Sequence, residues 1–190
     1  MKTFTLLNAY QSHESELKTI MDFVSPIEEH DSVYSPQIAK HLLNSGIAFE
    51  GLCKLIGAHF DKHLQNIGEY KELILVTFPK IHEFEVQIAM QNRILKPFDG
   101  WDKSKLSWWK NYVKLKHNYF ENLHLGCLGE ALKAISAYLI LILYFSYLEH
   151  GEQHPSVPSS LAPSLLIPKD YSSDNFQQAG FFYTYPLLVG

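Results

Sequence analysis

Two lysines and a histidine recur at the spacing of one helical turn near the middle of the chain, at Lys110, Lys114 and His117, with Asn118 next to them. At about 100° per residue these four side chains share one face of a helix. Neighbouring cations disfavour the charged form of a histidine, which keeps it a neutral base near physiological pH. His117 as acid or base, with Lys110 and Lys114 on a phosphodiester, is a minimal arrangement for cleaving RNA through the 2′-hydroxyl. The same spacing also fits a solvated basic face with a histidine at its edge.

The opposite face of this helix is aromatic. It comprises Trp108, Trp109, Tyr112, Val113, Tyr119 and Phe120, flanked by Leu115. Lys116 falls inside that arc, where a buried ammonium group needs a carboxylate partner. We therefore predict that Lys116 pairs with an internal acid, and Glu50, Glu85 and Asp99 are the candidates.

A second candidate site is the pair His59 and His63, four residues apart, a helical spacing that can hold zinc. A third ligand would come from His124 or Cys127, but the pair also lies near an apolar stripe. We interpret both as partly buried structural histidines and expect no bound metal and no cofactor. Cys127 and Cys53 lie in apolar helical patterns, which predicts two buried free thiols.

The elements that would position these residues are mainly helices. Ser35 and Pro36 form a good helix start, because serine caps the free N–H groups and proline tolerates the first helical position. Gly46, Gly51 and Gly57 in that helix suggest close approach of a neighbour. We predict a strand or irregular arm at residues 3–9, and helices at about 14–24, 36–64, 69–78, 103–122 and 123–149.

The remaining segments are less regular. Residues 83–91 alternate apolar and polar positions, which favours an extended segment over a helix. Residues 1–150 are predicted to form one helical bundle domain. Residues 151–190 are predicted to form a proline-rich loop and an aromatic tail that packs back on that domain through residues such as Phe176, Phe181, Phe182, Tyr183 and Tyr185.

Bulk composition limits the classes of function. The 190 residues carry a net charge of −4 and a single arginine, Arg93, so a broad nucleic-acid footprint and bidentate phosphate clamps are not expected. The most apolar run, residues 134–148, is shorter than the ~20 residues of a membrane span. We interpret it as a central bundle helix or a homodimer interface, in a mature cytoplasmic protein without a membrane span.

The pattern Trp108-Trp109-x-x-Tyr112-x-x-x-Lys116-His117-Asn118, after Pro97-Phe98-x-x-Trp101, resembles uncharacterised bacterial proteins with a "WW…YN…KHNR" helix followed by an apolar helix. These are similar to the HEPN superfamily of α-helical domains, and the resemblance covers about residues 34–150. It implies a helical bundle. Some HEPN domains are metal-independent ribonucleases of toxin–antitoxin and anti-phage systems, and many are non-catalytic partners.

Only part of the HEPN ribonuclease motif is present in this sequence. His117 matches the catalytic histidine, but Asn111, Tyr112 and Val113 occupy the positions where the ribonucleases carry an arginine. The expectation is therefore a HEPN-like, non-catalytic interaction or dimerisation domain with RNA or protein as partner. The alternative is a HEPN-type ribonuclease using His117. A small-molecule or metal-binding bundle is a third reading.

Overall fold

The computed structural model of the chain describes residues 2–89, 91–151, 156–169, 172–177 and 180–188. This part is mainly helical with small antiparallel sheets, which confirms the predicted fold class. Its helices are α1 (Lys2–Met21), α2 (Pro36–His59), α3 (Ile67–Thr77), α4 (Ser107–His117) and α5 (Leu128–His150).

Two three-stranded antiparallel sheets accompany the bundle within these described ranges. The strands are β1 (Val86–Ile88), β2 (Ile94–Leu95), β3 (Ser156–Pro158), β4 (Leu166–Pro168), β5 (Ser172–Gln177) and β6 (Gly180–Thr184). Their orders are β2-β1-β4 and β3-β6-β5. Strand β1 lies within residues 83–91, so the extended interpretation of that segment is confirmed. In the first sheet Val86 is opposite Leu95 on one side and Pro168 on the other.

Helix α5 is the centre of the core. Every residue from Ala134 to Ser146 is buried inside this single chain, and α1, α2 and α4 pack around the helix. The helix is long and apolar enough to cross a membrane, but 83% of its most apolar window is covered by the rest of the protein, as in the core helix of a soluble domain. Its apolar surface is therefore already covered within the chain.

The N-terminal segment is one continuous helix, so the predicted strand or arm at residues 3–9 is wrong. The helix predicted at 14–24 is the second half of α1, which ends at Met21. The buried positions Leu7, Tyr10, Glu14 and Leu17 follow helical spacing along α1. One of them is a carboxylate, which hid the apolar periodicity from the sequence pattern.

Three other helices are shorter than predicted. Helix α2 begins at Pro36 with Ser35 as its cap, as predicted, but ends at His59 because Asp61 adopts a left-handed conformation with φ 54°. Helix α4 covers only Ser107–His117 of the predicted 103–122. A short 3₁₀ turn at Leu123–Leu125 precedes α5, which begins at Leu128.

The segment after α5 contacts the bundle at several points. Val157, Leu166, Tyr185 and Leu187 are buried in the common core, and β4 extends the sheet begun by β1. Tyr183 packs against the same core. The side chains of Phe176, Phe181 and Phe182 lie outside the described part of the structure.

Candidate functional site

The outer face of α4 carries the predicted site residues Lys110, Lys114, His117 and Asn118, and all four are exposed. Asn118 ends the helix: its backbone N–H donates to the Lys114 carbonyl at 3.0 Å, and its side-chain amide donates to the Glu121 carboxylate. The side chain of Asn118 thus has a structural role, because it ties the helix end to the following turn.

The four residues do not share one described cavity. Lys110 lines a cavity of about 700 Å³ between α4 and the β1–β2 region, and the lining of that cavity does not include Lys114, His117 or Asn118. Cations and acids are mixed in it, among them Arg93, Asp31, Glu85 and Lys105. Within one chain, the outer face is therefore an exposed surface and not an enclosed catalytic cleft.

The inner face of α4 is anchored in the core by its two tryptophans. Trp108 donates its indole N–H to the Pro97 carbonyl at 2.9 Å, and its ring meets Phe49 edge-on at 5.0 Å. Trp109 lies 5.7 Å from the same Phe49 ring. A Cβ atom at Gly46 would lie 2.6 Å from Tyr112 Cε2, so this glycine lets α2 approach α4 closely, as the sequence suggested. The same suggestion is wrong for Gly51, where nothing lies within 4 Å of such an atom.

Lys116 has the internal acid partner that the sequence predicted, and of the three candidates it is Glu50. The ammonium group lies 3.1 Å from Glu50 Oε2 and 3.1 Å from the Tyr112 hydroxyl. The Tyr112 hydroxyl also donates to Glu50 Oε2 at 3.1 Å. The hydrogen bond with Tyr112, and then that with Glu50, raise the pKa of Lys116 against the opposing effect of burial. The lysine is not buried, since 43% of its side chain is exposed.

The predicted histidine pair does not form a helical ligand set. Helix α2 ends at His59, so His63 lies beyond it, and both side chains are exposed. The interpretation of these residues as partly buried is therefore wrong. No group of three His, Cys, Asp or Glu side chains among the described residues is placed to hold a metal ion. Cys53 is buried as predicted, whereas Cys127 is only half-buried.

Two buried polar interactions were missed at the sequence level. Glu14 accepts hydrogen bonds from the backbone N–H groups of Ser164 and Leu165 at 3.0 and 2.9 Å. Burial raises the pKa of this carboxyl, but the hydrogen bonds from Leu165 and Ser164 outweigh it and bring the pKa below the usual value. Arg93 donates to Asp31 at 2.5 Å and to the Pro26 carbonyl at 2.9 Å. The sequence offers one hint that Arg93 has a special role, namely that it is the sole arginine of the chain.

The loops at one end of the bundle expose an apolar surface, which we call the aromatic end and which comprises Phe23, Val33, Tyr34 and Phe120. Phe120 is 90% exposed and Phe23 is 88% exposed. The two loops that carry these residues meet, since Tyr34 forms an isolated backbone bridge with Cys127. Single exposed apolar residues are normal on a protein surface, but several large ones at one end of the bundle make that end a candidate interaction site.

The aromatic end also contains a groove. It has a volume of about 460 Å³ and lies between the end of α1 and the start of α2. Its lining is mostly apolar and consists of Thr19, Ile20, Phe23, Val24, Val33, Ser35, Gln37 and Ile38. A groove of this size can receive an aromatic side chain.

Comparison with protein-family models, with curated proteins and with solved structures gave no match. The assignment of function therefore depends on the geometry of this chain.

Proposed function

We propose that this protein is a non-catalytic, HEPN-like helical interaction domain that forms a homodimer through its aromatic end. The observation that supports it most strongly is the exposure of Phe23 and Phe120, two large apolar side chains on loops that meet at one end of the bundle. Leaving such groups in water forgoes about 1.5–3 kcal/mol of burial free energy for each. Burying the Phe23 and Phe120 side chains in an interface would recover this free energy.

A second copy of the chain is the occupant that this surface fits. Phe120 projects from the turn after α4, and the apolar groove lies between α1 and α2 at the same end. In a two-fold dimer, Phe120 of each copy would enter the groove of the other, so that the same patch covers itself. Such an arrangement closes after two copies and leaves neither phenylalanine in water.

The expected dimer is weak. Stable complexes bury about 800 Å² on each partner, and four side chains with one groove provide only part of that area. We expect a dissociation constant of order micromolar, which corresponds to about 8 kcal/mol.

Light scattering coupled to size exclusion tests this proposal at about 100 µM, well above that dissociation constant. Wild type should have the mass of a dimer and Phe120→Ser the mass of a monomer. Val76→Ser is the matched control, because Val76 is 78% exposed on α3, outside the aromatic end; it should remain a dimer. A monomeric wild type, or a Phe120→Ser variant that dimerises like wild type, would contradict the proposal.

The alternative function, a metal-independent ribonuclease of toxin or anti-phage type, gains one argument from the same dimer. His117 lies three residues before Phe120, so reciprocal insertion of Phe120 would bring Lys114 and His117 of both copies to one interface. An RNA cleavage assay in the presence of a chelator distinguishes the ribonuclease from the non-catalytic domain. It compares wild type with His117→Ala and Phe120→Ser. Cleavage lost in both variants would replace the non-catalytic proposal, and absence of cleavage by all three supports it.

The bacterial origin stays a prediction from the resemblance, and so does a protein or RNA partner beyond the second copy. The cytoplasmic location stays a prediction from the sequence pattern.

A further inference from the structure

Two histidines face each other across the contact between α1 and α2. The rings of His13 and His41 are 6.1 Å apart and steeply inclined at 60°. His41 is 1% exposed. Three nitrogens of this pair have no hydrogen-bond partner within the described part of the chain: both ring nitrogens of His41, and Nδ1 of His13. Unpaired buried polar groups oppose folding, so this pair is not explained by stability.

The groups around His41 favour its neutral form. From α1 it faces His13 and the carboxylate of Glu16, whose Oε2 lies 3.8 Å from His41 Nδ1. Lys40 is its neighbour on α2, and Tyr138 of α5 contacts the His13 ring at 5.8 Å. Burial, and then repulsion from His13, lower the pKa of His41 to about 4, while Glu16 acts in the opposite direction. Burial also lowers the pKa of His13.

Protons have a path to this pair. A groove of about 450 Å³ runs along the contact between α1 and α2, and Ser12, His13, Glu16 and Asn44 contribute its polar lining. His13 and Glu16 thus stand between solvent and His41. A proton that reaches His41 creates a positive charge in a buried contact, where Glu16 Oε2 lies 3.8 Å from His41 Nδ1, a long distance for an ion pair. Opening the contact between the helices hydrates that charge.

We propose that the His13–His41 pair is a proton-operated latch: α1 stays packed against α2 while both histidines are neutral, and their protonation on acidification releases it. The opening is local, because other contacts hold α1 at different points. Glu14 binds the backbone of Ser164 and Leu165, and Thr3 donates to the Glu149 carboxylate at 2.7 Å. The latch therefore exposes the α1–α2 groove without unfolding the bundle.

The sign of the effect follows from proton linkage. The open form takes up a proton near the ordinary histidine pKa of about 6.5, whereas the closed form resists it down to about 4. The ratio of open to closed form should therefore rise as the pH falls from 6.5 towards 4. The ratio should increase by up to about tenfold per pH unit, and by about 300-fold over the whole range.

Hydrogen exchange measured at pH 7.5, 6.0 and 5.0, corrected for intrinsic rates, tests the latch. Protection of α1 amides between residues 8 and 20 should fall with pH in wild type and stay flat in His41→Leu. His59→Leu is the control, because His59 is exposed and should leave the wild-type pH dependence unchanged. Equal pH dependence in wild type and His41→Leu would overturn the proposal.

A measurement on wild type alone remains decisive if His41→Leu fails to fold. Each histidine can be titrated through the NMR signal of its Cε1–H. His41 should titrate well below 6.5, in step with the loss of α1 protection. A His41 midpoint near 6.5 with α1 protection unchanged at pH 5.0 would contradict the latch.

Discussion

Lys114 and Lys116 stand two residues apart on α4 and have different environments. Lys116 lies on the inner face and contacts Glu50 and Tyr112, each at 3.1 Å. Lys114 lies on the outer face, and its side chain is exposed. The comparison extends to their neighbours, since Trp108 and Tyr112 are buried while Lys110 and His117 are exposed. A single motif therefore contains a face that builds the core and a face that is free to bind.

The largest expected difference between the faces is in core packing. Trp108→Ala removes a fully buried ring and its hydrogen bond to Pro97, which should lower the free energy of unfolding by about 3–5 kcal/mol. Lys110→Ala, two residues away on the outer face, should change it by less than about 0.5 kcal/mol. Chemical denaturation monitored by circular dichroism measures both. Equal losses of unfolding free energy in the two variants would show that the inner and outer faces do not differ in core packing.

Two glycines of α2 test how closely the inner face is packed. Gly46→Ala places a methyl group against the Tyr112 ring, and such overpacking costs about 1–3 kcal/mol. Nothing lies within 4 Å of a Cβ atom at Gly51, so Gly51→Ala should gain up to about 1 kcal/mol from helix propensity. Denaturation midpoints of the two variants should move in opposite directions. A stabilising Gly46→Ala would mean that Tyr112 can move away at little cost.

The lysine pair gives a smaller difference. Lys116→Met should cost about 1 kcal/mol or less, because the pair with Glu50 is partly exposed. Lys114→Met should cost nothing measurable. The pKa of Lys116 is raised by Tyr112 and Glu50, so its contribution is present below pH 10.5 and is lost as the pH rises through the folded-state pKa. The gap between the two variants should therefore shrink above that pH, and a gap that persists there would point to packing of the lysine stem instead.

The smallest expected effect is at His117. His117→Ala removes an exposed side chain at the last residue of α4, and should change the free energy of unfolding by less than about 0.5 kcal/mol at pH 7. Thermal unfolding of this variant beside wild type measures it. A loss above about 1 kcal/mol would assign His117 a structural role and move it out of the free face.

Much of this division could be predicted from the sequence, because the two faces of α4 follow from helical periodicity. Phe120 is the exception: it was predicted on the aromatic face, but α4 ends at His117 and Phe120 is 90% exposed. The need of Lys116 for an acid followed from its place in the aromatic arc, and Glu50 was one of three candidates. The end of α2 could not be predicted, since it depends on the left-handed conformation of Asp61. The histidine pair at residues 59 and 63 was misplaced for the same reason.

Contacts between distant parts of the chain were beyond the reach of sequence patterns. No sequence pattern marks Glu14 as a buried acid, and its burial is explained by hydrogen bonds to residues about 150 positions away. The proximity of His13 and His41 likewise depends on how α1 packs against α2. The apolar run of α5 fitted either a central bundle helix or a homodimer interface, and its burial by α1 and α2 supports the first interpretation. We therefore place the proposed dimer surface at the aromatic end.

The most direct test of the central claim is to record amide NMR spectra of the wild type over about 10 µM to 1 mM, across the expected dissociation constant. We predict concentration-dependent shifts at residues 19–24, 33–38 and 118–121, which are the groove and the turn that carries Phe120. Spectra that do not change with concentration, or shifts confined to other surfaces such as those around Val76 and Ile94, would contradict self-association through the aromatic end.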